Sequence, residues 1–67
     1  MTRKQSLQYI KNCEGEVSVA DFCRVWRPVG AMEWKMLQAD SLAREDSDGM
    51  IWLTAAGEAK LKTLLAA

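Results

Sequence analysis

The side chains able to do chemistry in this 67-residue chain are few, and their spacing excludes most of what they could do. Cys13 and Cys23 are the only thiolate ligands, and the chain has no histidine to complete a zinc site with them. A closed zinc site takes four ligands, so two thiolates leave it incomplete, and both cysteines read as free thiols that pack as small hydrophobes. Asp46-Ser47-Asp48-Gly49 suggests a calcium loop, but its glycine comes too early and the twelfth position, where a bidentate glutamate belongs, is Gly57. Gly15, Gly30, Gly49 and Gly57 are scattered, so no glycine-rich phosphate cradle follows a strand. Carboxylates, thiols, lysines and Tyr9 fall at no recognisable catalytic spacing. The expectation is a protein that is not an enzyme and holds neither cofactor nor metal, which leaves recognition as its chemistry.

Recognition has to operate without a net field. Nine Lys and Arg balance nine Asp and Glu, so attraction to a polyanion must come from local placement of charge. With 49% hydrophobic and 27% charged residues the composition is that of a globular domain, and the length allows one, spanning residues 1–67. A domain this small has a thin stability margin. No apolar run approaches the roughly 18 residues of a membrane span or the 7 to 15 or so of a signal-peptide core, so a cytoplasmic setting without membrane contact is expected.

The elements that must position any binding surface are marked by caps and turns. Thr2 can cap a helix from about Arg3 to Cys13, with Leu7, Ile10 and Cys13 on one stripe and Gly15 as the stop. Ser18 and Asp21 make a short-armed capping box, flanked by Val17 and Phe22 as a hydrophobic staple, so a second helix starts here. Its inward residues would be Phe22, Cys23 and Trp26, with Asp21 and Arg24 toward water. Pro28 breaks the chain, and a third helix over roughly Val29 to Asp40 follows, with Ala31, Trp34 and Leu37 as the inward stripe. Ala43–Asp46 and Met50–Thr54 then flank Ser47-Asp48-Gly49, and the Asp-Gly step predicts a hairpin. Thr54 can cap a last helix through about Leu65, turning Leu61, Leu64 and Leu65 inward. Trp26, Trp34 and Trp52 read as core anchors. The class is α+β, mainly helical, in the order three helices, hairpin, helix.

That order, with two helices joined by a tight turn and a hairpin after the second, matches the winged helix-turn-helix architecture. The text after residue 40 is more specific. Ser41-Leu42-Ala43-Arg44-Glu45, the acidic turn Asp46-Ser47-Asp48-Gly49, and Ile51-Trp52-Leu53-Thr54-Ala55-Ala56-Gly57-Glu58-Ala59 resemble the wing and following helix of bacterial regulators of the multiple-antibiotic-resistance (MarR) family. The resemblance covers about residues 18 to 65, and the long flanking dimerisation helices of that family have no counterpart here.

The resemblance implies a transcriptional regulator of bacterial or phage type, with the third helix in the major groove of double-stranded DNA and the wing tip on the backbone. By position, Arg27, Glu33, Lys35 and Met36 would be the helix contacts and Arg44 the wing contact, with Arg24 adding to the phosphate-neutralising set. A single domain of this size buries little DNA, so a homodimer or tandem binding is expected to support affinity. Two features point elsewhere. Met32 and Met36 cannot read base donors and acceptors, and Glu45, Asp46 and Asp48 surround the lone Arg44. Val29, Met32 and Met36 form a second apolar stripe, so the alternative is a module that docks a protein partner through this face. Self-association through the leucines of the last helix is a third arrangement.

Overall fold

A computed structural model describes residues 1–66 as helix α1 (Arg3–Cys13), helix α2 (Val19–Val25), helix α3 (Gly30–Ala39), strands β1 (Ala43–Glu45) and β2 (Ile51–Leu53), and helix α4 (Ala55–Ala66). The class is therefore α+β and mainly helical. Among the described residues no helix is long and apolar enough to cross a membrane.

The helices start where the sequence supplies an acceptor. At α1 the Thr2 hydroxyl accepts from the Gln5 amide at 3.1 Å, and the Gln5 side chain accepts from the Thr2 amide at 2.9 Å. Ser18 and Asp21 make the same reciprocal pair at α2, both bonds at 3.2 Å. Each box satisfies amides that the first helical turn leaves without partners. α3 has no side-chain cap. It is continuous with the turn around Pro28, whose end is tied by the Gly30 amide to the Trp26 carbonyl at 2.8 Å.

Every element contributes to one core. Leu7 and Ile10 of α1, Phe22 of α2, Trp34 and Leu37 of α3, Leu42 and Ala43, Ile51 of β2 and Leu61 of α4 are all buried together. Tyr9 and Trp26 extend it as a tilted and T-shaped aromatic chain, with Tyr9 5.9 Å from Phe22 and 5.6 Å from Trp26, and Phe22 lies 6.2 Å from Trp34. The inward stripes differ in phase from the expectation at two places. Ala31 is exposed, and Gly30 takes the inward position, because α2 and α3 approach so closely that a Cβ there would stand 2.9 Å from Cys23 Cα. Leu65 is 53% exposed, since the buried side of α4 runs Gly57, Leu61 and Leu64 at four- and three-residue steps.

β1 and β2 pair antiparallel with Ala43 opposite Leu53, Arg44 opposite Trp52 and Glu45 opposite Ile51. The segment before α2 joins their edge, through the Ile51 amide to the Val17 carbonyl at 2.9 Å and a bridge between Ser18 and Met50. Strand alternation sends Ile51 into the core and Trp52 to the outer side, so Trp52 is not a core anchor. Its indole lies instead on Gly15, where a Cβ would come within 2.1 Å of the ring. One carboxylate organises the turn. Asp46 accepts from the Asp48 amide at 2.9 Å, the Met50 amide at 2.9 Å and Trp52 Nε1 at 2.8 Å.

The hairpin is locked to α4 by Thr54. Its amide donates to the Leu42 carbonyl at 3.1 Å, its hydroxyl donates to the Ser41 carbonyl, and the same hydroxyl oxygen accepts from the Gly57 amide at 3.0 Å. Gly57 then passes so near the chain that a Cβ would sit 1.9 Å from the Leu42 carbonyl oxygen.

Two stability measurements check this account. Gly57→Ala forces a methyl group against the Leu42 backbone and should cost about 3 kcal/mol or more in urea unfolding, against the gain of about 1 kcal/mol that Gly to Ala brings in an open helix. The hydrogen bond from Trp52, then those from the Met50 and Asp48 amides, hold the Asp46 carboxyl below its ordinary range. A depressed folded pKa stabilises the protein above the unfolded carboxylate range, and that contribution disappears as pH falls through the folded value. Asp46→Asn should accordingly be less stable than the parent at neutral pH, with the gap closing in acid. A gap independent of pH rules the mechanism out.

Candidate nucleic-acid interface

The outer side of α3 is set by its buried side. With Gly30, Trp34 and Leu37 inward, residues 31, 32, 35, 36, 38 and 39 face water. This surface is Ala31, Met32, Lys35, Met36, Gln38 and Ala39, and its single charge is positive. Met32 is 69% exposed on it and Met36 47%. Met32 also divides it into two shallow clefts. One is lined by Pro28, Ala31, Met32 and Lys35, and the other by Met1, Val29, Met32, Glu33 and Met36.

Glu33 borders the second cleft but is turned away from the solvent-facing surface. It is only 12% exposed, and its Oε2 takes Arg3 Nε at 3.0 Å and the Ser6 hydroxyl at 2.6 Å. The phase of α3 turns residue 33 toward α1, where Ser6 is wholly buried and its hydroxyl needs an acceptor. Arg3 also reaches Asp40 at 3.2 Å, so one guanidinium serves both carboxylates of the α3 flank. This corrects the placement of Glu33 among the groove contacts.

The expected cations fall into two groups. Arg24, on α2, is bound to Asp21 at 2.6 Å and is not a free phosphate anchor. Arg27 in the turn before α3, Lys35 on it and Arg44 on β1 are exposed and have no carboxylate within ion-pair distance among the described residues. Arg44 extends over the exposed Trp52 ring, 5.9 Å from its centroid, a cation–π arrangement that gives it a direction. Asp46, at the N–H edge of the same indole, is occupied by its three donors. Glu45 and Asp48 stay in water.

Of the alternative set, Val29, Met32 and Met36 lie together, lining one cleft with Met1 and Glu33. Sequence reasoning missed the exposure of Ala31, Gln38 and Ala39. It also missed Arg3 as the residue that clears acid from this face. The outward position of Trp52 was available from the alternation Ile51-Trp52-Leu53, whereas the partnership of Arg3 with Glu33, thirty residues apart, has no local signal.

Cys13 and Cys23 are half-buried free thiols, and among the described residues no group of three or more Cys, Asp or Glu is placed to hold a metal ion. The chain matches no protein-family model, no curated protein and no solved structure, so this surface has to be read from its own residues.

Proposed function

We propose that the chain is a winged helix-turn-helix domain of bacterial or phage type that binds double-stranded DNA as a regulator, with α3 in the major groove and Arg27, Lys35 and Arg44 on phosphates. The order of α2, tight turn, α3 and hairpin supports the architecture, as does the resemblance of residues 41–59 to the wing of MarR-like regulators. The observation that carries the reading is the sorting of charge. Glu33 and Asp40 are drawn onto Arg3, leaving an outer face without a carboxylate, with Lys35 on it and Arg27 and Arg44 before and after it in the chain. In a molecule of zero net charge, such local separation is what creates attraction to a polyanion.

A second reading has its own observation. Met1, Val29, Met32 and Met36 are exposed around one cleft, an apolar surface of the adaptable kind that docks a protein. It uses the same helix and needs no cation.

Salt separates the two. Three phosphate contacts predict a log–log salt slope of about −2.7, or roughly 40-fold weaker DNA binding between 50 and 200 mM salt. Fluorescence anisotropy on a short labelled duplex should show this slope, with Lys35→Ala and Arg27→Ala each reducing it by about 1. Unchanged affinity and slope in both variants excludes the DNA surface. Capture of a defined protein partner that is lost in Met32→Asp, with the fold intact, establishes the second reading.

A further inference from the structure

The outer face of α3 is short of hydrogen-bonding groups, and this limits which base pairs it can read. Ala31, Met32, Met36 and Ala39 offer only apolar surface, and Gln38 is the one amide side chain among them. In the major groove, thymine alone presents a methyl group to apolar side chains. Glutamine's donor and acceptor match the N6 and N7 edge of adenine. The groups that would favour a G·C pair are largely missing. No arginine lies on the helix, the one lysine, Lys35, is assigned to phosphate, and the carboxylate that could accept from cytosine N4, Glu33, is engaged by Arg3 and Ser6.

Resting on the DNA reading above, we infer that the preferred ligand is an A·T-rich duplex, recognised through thymine methyls by Met32 and Met36 and at an adenine edge by Gln38, with Lys35 supplying phosphate attraction. Charge complementarity selects nucleic acid as the occupant of this apolar face over a second copy of the chain. A self-contact through this face would bring two Lys35 charges into one interface, with no free carboxylate on either copy of the face to offset them.

The methyl can be removed without altering base pairing. Binding is measured for an A·T-rich duplex, the same duplex with every thymine replaced by deoxyuridine, a G·C-rich duplex, and that duplex with 5-methylcytosine, which carries a methyl at the corresponding position in the major groove. Loss of one buried methyl contact is worth about fourfold in affinity, so two contacts predict about fifteenfold weaker binding to the uracil duplex. Methylated G·C DNA should bind more tightly than unmethylated. The double variant Met32→Ala, Met36→Ala alters only exposed side chains, so it should fold as the parent does by circular dichroism. It should lose both methyl effects while keeping the salt slope. Equal affinity for thymine and uracil duplexes, with salt-dependent binding retained, overturns the methyl inference and leaves the DNA reading standing. Failure to bind any of the four duplexes overturns both.

Discussion

The packing of Gly57 against the Leu42 carbonyl decides where most of the chain can lie. Thr54 bonds to the carbonyls of Ser41 and Leu42 on one side and to the Gly57 amide on the other, so the exit from α3, the hairpin and the start of α4 meet at one point. A side chain at residue 57 would overlap the Leu42 carbonyl oxygen, its Cβ 1.9 Å away, and would push α4 outward. Leu61 could not then reach the core formed by Leu37, Leu42 and Ile51. In a domain of this size the core is a single cluster, so losing one helix from it removes much of the apolar burial that offsets chain entropy.

The same economy explains the ion network at the other end. Ser6 is fully buried and Glu33 nearly so, and each satisfies the other, with Arg3 supplying the counter-charge. A carboxylate in that position without a cation would be costly, so the network has little freedom to rearrange. It ties α1 to α3 and fixes the rotation of α3 about its axis. That rotation determines which residues are presented outward. The anchoring of Glu33 and the exposure of Met32 follow from one geometric choice.

How far the sequence disclosed this depends on the range of the interaction. Capping boxes at Thr2 and Ser18, the Asp-Gly turn and the Thr54–Gly57 junction act within a few residues, and the expected elements appear at nearly the expected boundaries. β1 is one residue and β2 two residues shorter than expected, as the Asp46 amide and Met50 carbonyl already close the turn and Thr54 is taken up in starting α4. Phase was less legible. A spacing of three suggested Ala31, Trp34 and Leu37, but Gly30, Trp34 and Leu37 fit the helical period better, and a glycine carries no hydrophobic signal to reveal its inward position. Glu33 read as surface because its partners are 27 and 30 residues away. The division between paired Arg24 and unpaired Arg27 likewise depends on side-chain geometry that spacing does not contain.

The acidic hairpin is the feature of the sequence most opposed to a nucleic-acid partner, and its geometry reduces that opposition. Asp46 is spent inside the turn, where its two backbone bonds shape the loop and its third fixes the Trp52 indole. That indole supports the Arg44 guanidinium from below. The acid therefore sets the orientation of the cation through the tryptophan between them, and an exposed aromatic residue that the core does not use acquires a physical role. Glu45 and Asp48 remain as free negative charges. At physiological salt their repulsion decays over about 8 Å, so it weighs on the hairpin tip more than on α3. In the DNA reading proposed above, the hairpin would accordingly make a narrow contact through Arg44, with α3 the larger part of the surface.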